Sequence, residues 1–281
     1  TLDHGAQYFT IKNETMEPYL ETWLRDEVVA EWKIQPAVIK NGEVVERKPG
    51  PTRYVGIPTM NAPIKHLFGD RLCQFTTRIT ALHYNDQRWE FVRDDGPNVS
   101  HRYVICTTPP RQAADLIEDE LPDRAAWLRK QRFQPTWCYG VVLDKRANVP
   151  FRAGFVNDDS PADWIARNGS KPGRNHEEAW ILHADQEWSE QHLEEKPETV
   201  RKILRDVFYR TLGDDTVEVE QDFVHRWRYA KPAEPLNQGV VIENRLVLAG
   251  DWLHGSRVEG ALLSGKAAGE KLSRRIKNDI H

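Results

Sequence analysis

Long apolar runs are missing from this chain of 281 residues. Its longest uninterrupted stretches, such as Leu246 to Ala249, fall far short of the ~20 residues that cross a bilayer, and no basic-then-apolar leader opens the sequence. A membrane partner is therefore not expected. Positive charge is not in excess either: 39 Lys plus Arg stand against 43 Asp plus Glu, a net charge of -4, which supplies no footprint for nucleic acid. Cysteine is scarce and odd in number. Cys73, Cys106 and Cys138 are widely spaced in apolar stretches and read as reduced core thiols, as in a cytoplasmic protein. Two catalytic signatures are absent as well: there is no GxSxG, and His176, His183 and His192 form neither HExxH nor a paired metal spacing.

What is present is an ordinary globular mixture, 29% charged and 39% hydrophobic, with room for one large domain or two intertwined ones. Ten Trp are many for this length. They read either as additional core or as the lining of an aromatic cavity. The sequence begins at Thr1 rather than Met, and Thr1 to Thr10 reads as though already inside a folded element, so an upstream segment is expected.

Met16, Tyr19, Leu20, Trp23, Leu24 and Val28 recur at helical spacing and predict a helix over 14–28. Asn41-Gly42 then predicts a hairpin between 37–39 and 44–45. After the Pro/Gly-rich stretch Lys48 to Thr52, a short helix over 61–68 ends at Gly69. Strands over 72–84, 89–93 and 101–106 form a meander, the last of them an apolar run stopping at Thr107-Thr108-Pro109-Pro110. Helices are predicted over 111–118, 123–132 and 197–212, and strands over 136–143, 179–183, 217–229 and 246–249. Residues 151–173, rich in Gly, Pro, Asn and Asp, read as long loops around a short segment 164–167. Interleaved strands and helices make an α/β or α+β chain.

The C-terminal stretch RLVLAGDWLHGSRVEGALLSGKAAGEKL carries the most information. A buried strand leads into a Gly-rich turn over 250–255 and a helix over 256–277, with Ser256 and Glu259 at capping-box spacing. Such a helix start offers unpaired N–H groups and partial positive charge to an anionic ligand. Gly260, Ala261, Ser264, Gly265, Ala268 and Gly269 line one side, suiting close approach of a backbone or a flat ligand. Gly260 to Ala267 lies one residue short of a phosphate loop, but the segment is helical by its own period and Ala267 has no hydroxyl, so an NTPase is excluded. In His225 to Tyr229 (HRWRY) basic and aromatic residues alternate on a strand, either as cavity wall or as core with outward Arg.

The ending LVLAGDW…VEGALLSGKAAGEKL resembles the C-terminal flavin motif of FAD-dependent amine oxidases. The opening DHGAQYFT, the central VICTTPP and HRWRYAKP together resemble the renalase-like bacterial branch, so the resemblance spans the chain. It implies an interleaved two-domain fold: an FAD-binding, Rossmann-like domain from 1–10, 57–128 and 240–281, and an antiparallel-sheet substrate domain from 11–56 and 129–239. It implies FAD as cofactor, with Asp251 beside Gly250 bonding its ribityl or pyrophosphate region. The amides of Val258, Glu259, Gly260 and Ala261 would face the flavin ring, Gln7 would lie near that ring, and Thr107 and Pro109 near the dinucleotide. Tyr8, Trp137, Trp227, Tyr229 and His254 are the substrate-pocket candidates. Family members begin with a strand and a GxGxxG turn, and this sequence has no such motif, so roughly fifty residues of the family fold are expected to precede Thr1. The implied activity is hydride transfer from an amine or a dihydro-nicotinamide-type small molecule to flavin and then to dioxygen. The alternative is a cofactor-free binding fragment of the same ancestry. Oligomeric state is not specified by the sequence.

Overall fold

The computed structural model describes residues 2–47, 49–175 and 178–280. Thr1, Lys48 and His176, named above, lie outside the described residues. Two compact units account for the chain: 1–69 with 134–230, and 70–133 with 231–281. Segments 1–10 and 57–69, grouped by the resemblance with the C-terminal motif, thus fold within the first unit. Phe9 is tied there by reciprocal backbone bonds of 2.9 Å to Tyr54. Among the described residues, no helix is long and apolar enough to cross a membrane.

The first unit is built on a seven-stranded sheet in the order Val219–Pro232, Phe133–Leu143, Ala179–Ala184, Ala162–Arg167, Ala153–Val156, Ala37–Lys40, Glu43–Arg47. Ala153–Val156 and Ala37–Lys40 pair in parallel. The predicted helix Pro197–Leu212 has the expected bounds. Pro197 suits its first turn, where an N–H would be unpaired, and Gly213, at φ +71°, ends it. Val200, Leu204, Val207, Phe208 and Leu212 bury one stripe of this helix against Tyr139, Trp180 and Leu182 of the sheet. Gly42 and Gly213 approach so closely that a Cβ on Gly213 would lie 2.6 Å from the Gly42 carbonyl oxygen, which locks the hairpin tip to the helix end.

Residues 151–173 hold the strands Ala153–Val156 and Ala162–Arg167 where loops are predicted. Gly154, a poor strand former by propensity, is required because its Cβ would lie 2.6 Å from Ile39 Cδ1 on the neighbouring strand. Packing overrode propensity. The helix expected over 14–28 is a short turn Glu14–Met16 and a helix Glu17–Arg25, stopped where Glu27 turns to φ +53°.

In the second unit, Leu246–Leu248 lies between Val241–Glu243 and Val104–Cys106. It runs parallel to Val104–Cys106, pairing Leu246 with Val104 and Leu248 with Cys106. The expected neighbouring of these two buried strands is therefore observed. Helices Pro110–Ile117 and Pro122–Arg129 cover one side through Ala113, Ala114, Ile117, Ala125 and Leu128. Helix Val258–Ile280 packs on the sheet through Ala268 and Leu272 against Val247 and Ala249.

The single strand expected over 101–106 is two, Val99–His101 and Val104–Cys106, in different sheets. The first closes a meander with Ile79–Asn85 and Arg88–Arg93, and Arg102-Tyr103 carries the chain across, with Tyr103 Oη donating 2.7 Å to Asp279. The strand expected from residue 72 begins at Ile79; Leu72 and Phe75 are 91% and 80% exposed. Their alternation has no buried face to serve.

Candidate functional site

The parallel pair in the second unit sends both carboxyl ends the same way, as the edges that bind ligands in open α/β sheets do. One end continues into Thr107 to Pro110; the other continues into Gly250 and the turn Asp251–Leu253. A bond of 3.0 Å from the Ala249 amide to the Cys106 carbonyl extends the pairing to the mouth of both turns. Ser264, fully buried on the C-terminal helix, fastens the second turn: its Oγ accepts from the Gly250 amide at 3.0 Å and donates to the Gly239 carbonyl at 2.9 Å.

Asp251 organises the helix entry with its backbone. Its carbonyl accepts the amides of His254, Gly255 and Ser256 at 3.0, 2.8 and 3.1 Å. Among the described residues the carboxyl group takes part in no ion pair, and burial pushes its pKa above the ordinary value against the lowering effect of the Trp252 amide and its own. The helix entry differs from the one expected at Ser256 and Glu259. Ser256 sits at φ +43° and the helix starts at Val258 rather than Ser256, so the Gly255-Ser256 turn is spent reversing the chain onto the helix. Gly260 serves that reversal, since a Cβ there would lie 3.0 Å from the His254 carbonyl oxygen. A Cβ on Gly265 or Gly269 would meet nothing within 4 Å, so these glycines leave open space instead of close packing.

Of the residues singled out from the sequence, Thr107, Pro109, Gly250, Asp251, His254, Val258, Glu259, Gly260 and Ala261 belong to the second unit, where sheet pairing and the helix entry gather them. Gln7, Tyr8, Trp137, Trp227 and Tyr229 belong to the first. There Trp227 is exposed and stacks on His4 at 5.3 Å and 20°, with its Nε1 donating to the His4 carbonyl at 3.0 Å. His225 joins them at 4.6 Å from His4, and Tyr229 lies two residues beyond Trp227 on the same strand face. Tyr8 packs between Trp32 and Trp164, at 6.4 and 5.6 Å. Trp137 stands apart from both groups. It is 1% exposed in the core under helix Pro197–Leu212, and its indole N–H is held by the His192 carbonyl at 3.1 Å.

Gln7 is the entrance to a network that sequence reading missed. Its amide nitrogen donates to the Asp3 and Gly5 carbonyls, and its oxygen accepts from Lys171 Nζ at 3.0 Å. Lys171 Nζ also lies 3.3 Å from Asp3 Oδ2 and from Asn168 Oδ1, and 5.5 Å over the Trp32 ring. Arg174 binds the same Asp3 oxygen through Nε at 3.1 Å and Nη2 at 2.5 Å, and the Gly56 carbonyl through Nη1 at 2.6 Å. Burial pushes the Asp3 carboxyl up, but Lys171 and Arg174 outweigh it and hold the group below the usual carboxylate range. Burial lowers Lys171 to about 8 and His183 to about 4. His225 is lowered too, by burial and by His4. Lys171 and Arg174 carry no local motif, and only the fold brings them to Asp3.

Residues 69–272 match the sequence family described as flavin containing amine oxidoreductase. The chain is 20% identical to mouse (Mus musculus) renalase over 292 residues, covering 98% of this chain and 84% of that protein. Among solved structures it is similar to cyclohexylamine oxidase from Brevibacterium oxydans IH-35A, with a TM-score of 0.62 at 12% identity, over 84% of this chain and 58% of that one. It is also similar to a structure from Exiguobacterium sp. 255-15 assigned as protoporphyrinogen oxidase, with a TM-score of 0.61 at 14% identity, over 82% of this chain and 54% of that one. The chain thus spans between half and six-tenths of the length of these two structures. The mixed α/β fold expected from the sequence is the one these structures share.

Proposed function

Because the chain belongs to the flavin containing amine oxidoreductase family, we propose that its second unit binds the flavin end of FAD and that its first unit faces the substrate of an oxidation. When bound, FAD supplies the hydride acceptor and hands the electrons on to dioxygen. The observation that carries this reading is the uncompensated Asp251 carboxyl, half-buried beside the start of a 23-residue helix and at the carboxyl end of a parallel strand pair. A carboxylate kept from cations accepts hydroxyl hydrogens well, so the ribityl chain suits it better than a phosphate. The first N–H groups of the helix, those of Val258 to Gly260, would stabilise negative charge on the flavin ring; the Ala261 amide, expected from the sequence to join them, is instead spent on the Arg257 carbonyl at 2.9 Å. The open faces of Gly265 and Gly269 leave room along the helix. These residues fit the ribityl and ring end of the group. A glycine-rich turn for its pyrophosphate is not in this sequence.

On the substrate side, the chain offers aromatic surface in Tyr8, Trp227 and Tyr229 and neutral imidazoles in His183 and His225. The buried carboxylate of this region, Asp3, is committed to two cations. That electrostatic character favours an uncharged or anionic hydride donor, such as a dihydro-nicotinamide-type compound, over an ammonium.

Asp251 provides the test. FAD affinity, read from flavin fluorescence, and melting temperature are measured on the same samples of Asp251→Ala and Asp251→Asn. The expected result is weaker FAD binding by about tenfold for Ala, equivalent to ~1.4 kcal/mol, a milder loss for Asn, and little change in melting temperature, because the entry turn is held by the backbone carbonyl. A lowered melting temperature with FAD binding unchanged would make Asp251 purely structural.

A further inference from the structure

Arg53 is buried, 8% exposed, and forms no ion pair among the described residues. The other buried cations of its unit all have a carboxylate: Lys171 and Arg174 share Asp3, and Arg167 lies 3.4 Å from Glu178. Removing a guanidinium from water without an anion is costly, and the Tyr8 ring under Arg53 at 5.2 Å offsets only part of it. The donors of Arg53 are unequally used. Nη1 donates to the Pro51 carbonyl at 3.3 Å, whereas among the described residues Nε is buried with no partner and Nη2 makes no hydrogen bond. Nε and Nη2 form one edge of the planar fork, the edge that matches both oxygens of a carboxylate.

A second orphan flanks the same ring. Trp164, 5% exposed, packs on Tyr8 at 5.6 Å, and its indole N–H has no acceptor among the described residues. Buried donors of this kind are nearly always satisfied in folded proteins. Two of them around one half-buried tyrosine, one on a cation without a counter-ion, describe a place short of acceptor oxygens and of negative charge. Gly50 approaches the guanidinium so closely that a Cβ there would lie 3.0 Å from Nη2, which limits how far the fork can swing toward another partner.

We propose that the Nε and Nη2 edge of Arg53 is a carboxylate-binding element for a small-molecule ligand lying along Tyr8. As a substrate contact it rests on the oxidoreductase reading above; as a binding element it does not. A ligand carboxylate would neutralise the guanidinium and satisfy its free edge, and the indole N–H of Trp164, packed on the same tyrosine, would supply a further donor. This gives the substrate face a preference for anionic over neutral ligands of the same shape.

Benzoate and benzamide, equal in shape and different in charge, test this by calorimetric titration of the whole protein without any turnover, so that a failure to bind flavin leaves the result readable. Benzoate is expected to bind at least about tenfold tighter than benzamide, a difference of ~1.4 kcal/mol. That preference should collapse in Arg53→Met and be only partly kept in Arg53→Lys, which retains the charge without the fork. If the methionine variant does not melt cooperatively, Arg53→Lys alone decides, with full retention of the preference counting against the fork. No measurable benzoate binding, equal affinity for the two probes, or a preference that survives in Arg53→Met overturns the proposal. Inorganic phosphate is titrated in parallel: binding of phosphate without benzoate overturns the assignment to a carboxylate.

Discussion

Two cations share the buried Asp3 carboxylate, and the side chains of Lys171, Arg174 and Asp3 are 0%, 2% and 4% exposed. Removing the anion and removing one cation should therefore have unequal consequences. Asp3→Asn keeps the shape, and an acceptor for the Met60 amide now at 3.1 Å, but leaves Lys171 and Arg174 without a counter-charge. The expected cost is about 3–5 kcal/mol, a large share of the ~5–15 kcal/mol by which proteins are stable. Lys171→Met instead leaves Asp3 balanced by Arg174. Burial lowers the Lys171 pKa from 10.5 to about 8, so holding that ammonium inside costs on the order of 3 kcal/mol at neutral pH. Relief of this cost offsets the Gln7 oxygen left without the ammonium, at ~1–3 kcal/mol, while the Asn168 oxygen keeps the Asp3 amide at 3.3 Å.

The pH dependence has a definite sign. Between about pH 8 and 10.5 the unfolded chain holds a proton that the folded Lys171 has released, so the contribution of this residue to stability rises with pH through that window. Below pH 8 its cost is present in full. Urea unfolding followed by tryptophan fluorescence at pH 7, 8, 9 and 10 measures both effects, since Trp32 lies under the ammonium. Asp3→Asn should lower stability clearly more than Lys171→Met, and the methionine variant should lose part of the rise seen in the unaltered protein. Equal losses in the two variants, or an unchanged rise without Lys171, would refute the reasoning.

Three further outcomes are expected. Ser264→Ala strands the Gly250 amide and the Gly239 carbonyl and should cost about 2 kcal/mol, read as melting temperature, with FAD affinity falling because the turn before Asp251 loosens. Gly140→Ala would place a Cβ 2.3 Å from the Phe223 ring and should cost about 1–3 kcal/mol; Phe223→Leu in the same chain should recover part of it in a denaturation series. Cys73 is exposed while Cys106 and Cys138 are buried, and burial holds the Cys138 thiol far above its ordinary pKa, so a thiol reagent should titrate one group in the native protein and three after denaturation.

Where the chemistry of an element is local, the sequence by itself determined it. Helix Pro197–Leu212 follows from a proline at its start, an apolar stripe at helical spacing and a glycine after its end, all within 17 residues. The buried strand before Gly250, the turn and the C-terminal helix were legible for the same reason, and with them the Asp251 end of the candidate site. Capping geometry was less secure: Ser256 and Glu259 have the right spacing, but the chain reversal at Gly255-Ser256 claims the dihedral angles that a cap would need. Tertiary structure alone decided the rest. Strands Ala153–Val156 and Ala162–Arg167 exist because neighbours from residues 37–40 and 179–184 complete their hydrogen bonds, a gain that no local propensity records. The Asp3 and Lys171 pair is separated by 168 positions, and the unmatched edge of Arg53 is defined by what fails to reach it. Burial and partnership are properties of the folded surroundings, so a charged residue shows its function only once the fold has fixed which charges lie beside it.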